Sequence, residues 1–88
     1  MIFRGTIELL QGSNATTVYA DRKSISRQEF VAAGQIGIRP MWMFEVRTVE
    51  YADEKRLKYE GTVYTIYRVY SKPNGITELY CEVRLGAN

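Results

Sequence analysis

Alternation of apolar and polar side chains predicts six β-strands along this chain. In the first, Phe3, Ile7 and Leu9 share one parity, and Arg, Thr and Glu side chains occupy the other, as in a strand with one buried face. Tyr, Val, Ile and Thr, which suit a pleated and half-buried surface, are enriched in the last third of the chain. The predicted strands cover residues 1–10, 16–23, 41–51, 56–59, 62–71 and 77–84.

Turn residues separate the last three predicted strands. Glu60-Gly61 and Pro73-Asn74-Gly75 are typical of tight turns, because Pro presets φ while Asn and Gly tolerate positive φ. The two turns predict an antiparallel meander of three strands. On its last strand Leu79, Cys81 and Val83 take the inward parity, so we expect Cys81 to be a small buried hydrophobic residue.

A helix start is predicted between the second and third strands. Ser26 and Glu29 have the spacing of a capping box, in which the Ser hydroxyl accepts from the Glu amide and the Glu carboxylate reaches back to the Ser amide. Ile25 and Phe30 flank it as a hydrophobic staple, and Gly34 is a natural stop. About two helical turns result, too few to be stable without packing onto the sheet.

These elements predict the fold class. The whole chain, residues 1–88, is short enough to be a single domain. Six short strands with one short helix inserted between strands two and three favour a mainly β fold, either a small antiparallel barrel or a sandwich.

Composition limits the chemistry of the chain. Lys and Arg number 12 against 10 Asp and Glu, a net charge of +2 that is too mild to be a nucleic-acid signature. Histidine, the commonest general base and metal ligand, is absent. The single Cys81 cannot form an intramolecular disulfide, and no apolar run approaches the ~20 residues of a membrane span. We therefore expect no enzyme activity, no cofactor, no metal site and no membrane contact.

Several segments carry a family resemblance. The run from Val18 to Phe30, VYADRKSISRQEF, resembles the segment that follows the second strand in small head closure proteins of tailed phages, also called head-tail connector or adaptor proteins. The resemblance extends over roughly residues 15–85. Further similar segments are Phe44-Glu45-Val46-Arg47 with Glu50-Tyr51, Tyr59-Glu60-Gly61 with Tyr64, Ile66 and Arg68, and Glu78-Leu79-Tyr80-Cys81.

The resemblance implies a structural virion protein. Members of that family are small β-barrels that assemble as a ring, typically twelve-fold, between the portal and the tail. The implied partners are other copies of this chain, the portal-side adaptor protein, a tail or tail-completion protein, and the end of the packaged DNA. The implied location is the head-tail interface of the virion, with the host cytoplasm as the place of assembly.

Several charged and aromatic residues are candidates for the ring interface. Arg22 and Arg27 fit contact with a DNA end or an acidic neighbour, or a solvated turn. Asp53 and Glu54 fit half of an intersubunit salt bridge, or a polar hairpin tip. Trp42 fits an exposed anchor, or ordinary core.

The segment from residue 24 to 40 is the candidate functional insertion. A barrel can join two strands with a turn of about two to five residues, so a long connection with its own helix suggests a further role. Ile36 and Ile38 lie between glycines, and Gln35 and Arg39 flank them. The two isoleucines fit a surface covered in the assembly, or a plug at one end of the barrel.

Two other functional classes remain open from the residues alone. Seven Tyr with Lys58 and Arg68 fit the stacking platform of an OB-like module for single-stranded nucleic acid, or simple cross-strand pairs. An enzyme accessory subunit is the third possibility. The near-neutral charge and the ordered resemblance favour the ring subunit over both.

Overall fold

Six antiparallel strands close into a barrel in the computed structural model, which describes residues 3–83. The order around the barrel is β1-β2-β3-β6-β5-β4, and β4 pairs with β1 to close it. The predicted mainly β fold with one helix between strands two and three is confirmed, in its barrel form. The elements are β1 (Gly5–Gln11), β2 (Asn14–Lys23), α1 (Arg27–Gly34), β3 (Pro40–Arg47), a 3₁₀ turn (Thr48–Glu50), β4 (Arg56–Tyr59), β5 (Thr62–Ser71) and β6 (Ile76–Glu82).

The barrel consists of two meanders of three strands each. Strands β1 to β3 form one meander and β4 to β6 the other, and they meet along the β3–β6 and β1–β4 pairs. Closure removes most of the strand edges that an open sheet would expose, although β1 and β4 pair only from Glu8 to Leu10. The two tight turns predicted in the second meander are present, with Gly61 and Gly75 both at φ 83.

The core is the set of side chains that point into the barrel. The predicted parities of β1 and β6 hold, and Phe44 belongs to this cluster, with its ring centroid 5.1 Å from that of Tyr59 and 6.4 Å from that of Tyr64. Cys81 is fully buried, as predicted, and this burial raises the pKa of its thiol. The buried cluster contains Ile7, Leu9, Val18, Ala20, Phe44, Val46, Leu57, Tyr64, Ile66, Leu79 and Cys81.

The ends of four predicted strands differ from the structure, and the second of them begins at Asn14 rather than at residue 16. The strand predicted over 41–51 ends at Arg47, because the chain then turns across one end of the barrel. Thr48 fixes this turn: its amide donates to the Gly75 carbonyl at 2.9 Å, and its hydroxyl lies 2.8 Å from that of Thr77. The first strand begins at Gly5, with residues 1–2 outside the described range, and the last ends at Glu82, so the predicted end at Arg84 also lies outside it.

Helix α1 begins as predicted, but only half of the capping box forms. The Ser26 hydroxyl accepts a hydrogen bond from the Glu29 amide at 3.1 Å. The Glu29 carboxylate does not return to Ser26, because it contacts Tyr67 and Arg68 on β5 instead. Phe30 is 53% exposed, so the predicted staple with the half-buried Ile25 does not bury it.

The helix ends at Gly34, as predicted, but the glycine that caps it lies three residues further on. Gly37, not Gly34, has the left-handed conformation, with φ 82. The Ile38 amide donates to the Ala33 carbonyl at 3.0 Å, and the Gly37 amide donates to that of Gly34 at 3.1 Å. This pattern is a Schellman motif, which satisfies the last carbonyls of a helix. Gln35 and Ile36 therefore lie in the hydrogen-bonded turn that caps α1 rather than in a free loop.

Candidate interaction surfaces

The helical insertion presents an apolar surface to solvent. Only Ala33 of α1 is buried, whereas Ile36 is 75% exposed and Phe30 is 53% exposed. Val31 and Met41 are exposed as well, and we call Phe30, Val31, Ile36 and Met41 the insertion surface. Arg27, Gln35 and Arg39, the polar interface candidates of the same segment, are also exposed. Where such side chains form one patch, the patch commonly marks an interaction site.

The two isoleucines of the insertion have different environments. Ile36 extends into solvent, and Ile38 is half-buried beside the helix end that its amide caps. A plug formed by both side chains in the end of the barrel therefore does not exist. For Ile36, a place on a surface that is covered in the assembly remains the prediction. Ile38 packs locally, beside the end of the helix.

Polar side chains attach the insertion to the barrel wall. The Tyr67 hydroxyl donates to the Glu29 carboxylate at 2.9 Å, and the Arg68 guanidinium lies 3.5 Å from the same carboxylate. Burial, and then the hydrogen bond to Glu29, raises the pKa of Tyr67. Arg68 also stacks 4.6 Å from the centroid of the Tyr80 ring. The sequence did not predict this contact, because the capping-box pattern assigns the Glu29 carboxylate to the Ser26 amide.

A second polar cluster lies on the outer wall of the barrel. The Lys72 ammonium lies 3.2 Å from the Glu45 carboxylate and 3.6 Å from that of Glu78. Glu45 is buried although it is on the outward parity of β3, and its Oε1 is buried without a hydrogen-bond partner. Tyr80 donates to Glu78 at 2.7 Å, which extends the cluster towards Arg68. The strand pattern gave no sign of this burial, because alternation assigns Glu45 to solvent.

Arg22 and Trp42 meet at the mouth of the barrel. The guanidinium carbon of Arg22 lies 4.1 Å from the centroid of the Trp42 ring and 5.7 Å from that of Tyr59. Arg22 also donates a hydrogen bond of 3.4 Å to the Tyr59 hydroxyl. Trp42 is half-buried and packs against the core, so its aromatic face is occupied by Arg22 rather than presented as an exposed anchor.

The predicted pair Asp53 and Glu54 is divided between surface and interior. Glu54 is 6% exposed, and its Oε1 accepts from the Ala52 amide at 2.8 Å. Its backbone carbonyl accepts from the Tyr51 hydroxyl at 2.7 Å. Burial, followed by the charges of Asp53 and Glu54, raises the pKa of Tyr51 to about 12. Glu54 therefore holds its own loop together, and Asp53, at φ 63, is the exposed member of the pair.

No group of three or more Cys, Asp or Glu side chains in residues 3–83 comes together in a way that could hold a metal ion. Among the same described residues, no helix is both long enough and apolar enough to span a membrane.

Comparison of the chain with protein-family models, with curated proteins and with solved structures gave no match in any of the three. The fold and the surfaces therefore define the class of the protein: a closed six-stranded antiparallel barrel with a helical insertion that carries exposed apolar side chains.

Proposed function

We propose that this chain is a structural subunit of the head closure ring of a tailed phage or prophage. In this role it joins the portal-side adaptor to the tail and retains the packaged DNA. It is made in the host cytoplasm and works at the head-tail interface of the virion. The role is assembly, with no catalytic step, metal or cofactor.

The observation that carries the proposal is the insertion surface on a rigid barrel. Large apolar side chains at a surface are the usual anchors of protein-protein contacts, and Phe30 and Ile36 are not needed to fill the core. The resemblance of the run VYADRKSISRQEF supports the same function, since that run includes the start of the insertion.

A ring requires two different faces on each subunit. Ring subunits make heterologous contacts, so one face must complement a different face of the neighbour. The insertion surface supplies one apolar face, and exposed Tyr19, Val63 and Tyr70 on other parts of the wall supply candidates for the second. A barrel of this size offers small interfaces, so we expect the ring to form on the portal-side adaptor rather than in dilute solution.

The OB-like nucleic-acid module is the weaker alternative. Stacking platforms need exposed aromatic faces. Tyr59 and Tyr64 pack with Phe44 inside the barrel, and Tyr67 and Tyr80 belong to the polar clusters of the wall. Only Tyr19 and Tyr70 remain as large exposed tyrosines, and they lie on different strands. Binding of single-stranded DNA that weakens steeply with salt would favour this alternative.

The proposal is tested by removing the insertion surface in a phage that depends on this protein. The double variant Phe30→Ser with Ile36→Ser should melt within a few degrees of the parent, because both side chains are exposed. The same variant should yield heads that lack tails or leak DNA, scored by electron microscopy.

Val49→Ser is the matched control, because Val49 is an apolar side chain that is 90% exposed and lies outside the insertion. The control should support normal tailed particles. Normal particles from the double variant, or absence of the protein from purified virions, would contradict the proposal.

A further inference from the structure

An exposed Asn-Gly turn closes the hairpin between β5 and β6. The Lys72 amide donates to the Ile76 carbonyl at 2.8 Å, so residues 73–75 form the tip of the hairpin. Asn74 and Gly75 are both exposed, and Gly75 has the left-handed conformation, with φ 83. The space that a Cβ of residue 75 would occupy has no neighbouring atom within 4 Å. Water therefore has free access to the peptide that joins Asn74 to Gly75.

The Asn74 side chain is held against the backbone that follows it. Its Oδ1 accepts a hydrogen bond from the Ile76 amide at 3.1 Å. This bond makes an Asx turn, in which the side chain of one residue reaches the backbone two residues further on. The Gly75 nitrogen and the Asn74 Cγ are both members of the ring of atoms that the bond closes. Groups held together in this way react without first having to meet.

The Gly75 amide is only weakly restrained. Its N–H donates to the Lys72 carbonyl across 3.3 Å, which is longer than the about 2.7–3.2 Å of an ordinary N–H···O bond. A weak bond is easily given up, which leaves the nitrogen free to lose its proton. Glycine also has no Cβ to crowd the approach of the Asn74 side chain. The turn thus combines the electrophile, the nucleophile and the space that closure of a ring between them needs.

We infer that Asn74, a residue of a heat-labile type, is a site of spontaneous deamidation through a cyclic imide. The Gly75 nitrogen gives its proton to water and attacks Cγ of Asn74. A bond forms between this nitrogen and Cγ, the bond between Cγ and Nδ2 breaks, and Nδ2 takes up a proton and leaves as ammonia. Water then adds to either carbonyl of the imide, which yields aspartate or isoaspartate. Water is the only co-reactant, and the reaction does not depend on the proposed ring function.

Isoaspartate at this position disturbs one end of the barrel. In isoaspartate the main chain passes through Cγ, which adds one carbon between residues 74 and 75. The Gly75 carbonyl accepts from the Thr48 amide at 2.9 Å, and the Thr48 hydroxyl lies 2.8 Å from that of Thr77. A displaced Gly75 carbonyl leaves the Thr48 amide without its acceptor, which destabilises the fold. The aspartate product keeps a carboxylate oxygen for the Ile76 amide, so we expect only the isoaspartate form to melt at a lower temperature.

Mass spectrometry of the ageing protein tests the inference directly. The full chain is kept at mildly alkaline pH, and digested samples are followed over days for the gain of one mass unit that loss of ammonia and uptake of water produce. Asn14 is the internal control, because it is exposed as well but precedes Ala15. We expect conversion of Asn74 to be about tenfold faster than that of Asn14, with isoaspartate among the products. Equal rates at both positions, or aspartate without isoaspartate, would overturn the inference.

Variants locate the reaction and its effect. Asn74→Ser removes the amide that leaves, so its turn should gain no mass, whereas Asn14→Ser is the matched control and should age as the parent does. The time course of the parent keeps the test decisive if Asn74→Ser folds poorly. Freshly prepared Asn74→Asp keeps the acceptor for the Ile76 amide and should melt within a few degrees of the parent, and the separated isoaspartate form should melt lower than both. Mass gain at this turn in Asn74→Ser, or an isoaspartate form as stable as the parent, would contradict the inference.

Discussion

The barrel and its helical insertion are held in place by different interactions. Inward side chains such as Phe44, Leu57 and Leu79 are almost completely buried and form one apolar cluster. Helix α1 buries a single residue, Ala33, and is attached through Glu29 to Tyr67 and Arg68. The difference shows how a small domain can expose apolar side chains without losing its core, since polar contacts position the segment that carries them.

The interactions that hold the barrel together also contribute more free energy than those that attach the insertion. Full burial of one large apolar side chain contributes about 1.5–3 kcal/mol, and the barrel has several. An ion pair as exposed as that of Arg68 contributes about 0–1 kcal/mol, and a hydrogen bond to a charged group such as Glu29 about 1.5–3 kcal/mol. The insertion is therefore the region expected to open first.

The largest difference between the barrel and the insertion is expected when a phenylalanine is replaced by alanine in each. Phe44→Ala should lower the free energy of unfolding by about 3–5 kcal/mol, because it leaves a cavity at the centre of the core. Phe30→Ala should change it by about 0.5 kcal/mol or less, because that ring is largely exposed. Urea unfolding followed by circular dichroism measures both, and equal losses would show that the insertion is part of the core.

A smaller effect is expected when the attachment of the insertion is removed. Glu29→Ala deletes the acceptor of the Tyr67 hydroxyl and the partner of Arg68, and should cost about 1.5–3 kcal/mol. Gln28→Ala, at the adjacent exposed position, is the control and should be nearly neutral. If Glu29→Ala proves as mild as its control, polar attachment does not hold the helix.

Alkaline pH should destabilise both the barrel and the insertion, because a different tyrosine hydroxyl ionises in each. Near neutral pH this is the smallest of the expected effects. The pKa of Tyr51 is raised from its ordinary value of 10.0 to about 12, so its contribution is complete below pH 10 and is lost as the pH rises through 12. The melting temperature of the parent should therefore fall over that interval.

Tyr51→Phe should make this alkaline decline shallower, and Tyr19→Phe, at an exposed position of β2, is the matched control. If Tyr51→Phe leaves the alkaline decline of the melting temperature unchanged, ionisation of Tyr51 does not cause that decline. The raised pKa of Tyr67 gives the same direction for the insertion, since ionisation of its hydroxyl abolishes the bond to Glu29.

The elements that follow local rules could be predicted from the sequence. Alternation placed Ile7 and Leu9 in the core, and the Ser26 cap marked the start of the helix. The strand ending at Arg47 was predicted too long, because its end depends on Thr77, a residue far along the chain. Gly34 is the last residue of the helix, as predicted, but Gly37 is the glycine with positive φ, and local sequence does not show which glycine adopts that conformation.

The candidate surfaces were predicted as single residues but not as arrangements. Arg22 and Trp42 were both candidates, yet their stacking depends on how β2 and β3 are paired around the closed barrel. Tyr59 joins them from β4 on the other side of the opening. Glu54 was predicted at a polar tip because its sequence neighbours are charged, and its burial against Tyr51 and Ala52 has no local sequence signal.

The most direct test of the account is amide hydrogen exchange of the isolated protein and of the protein assembled on heads. We predict that residues 27–38 exchange faster than β3 and β6 in the isolated protein, because few apolar contacts hold the insertion. On assembly these residues should become protected while the core strands change little. Slow exchange of the insertion in the isolated protein, or no added protection on assembly, would contradict its role as the exposed docking segment.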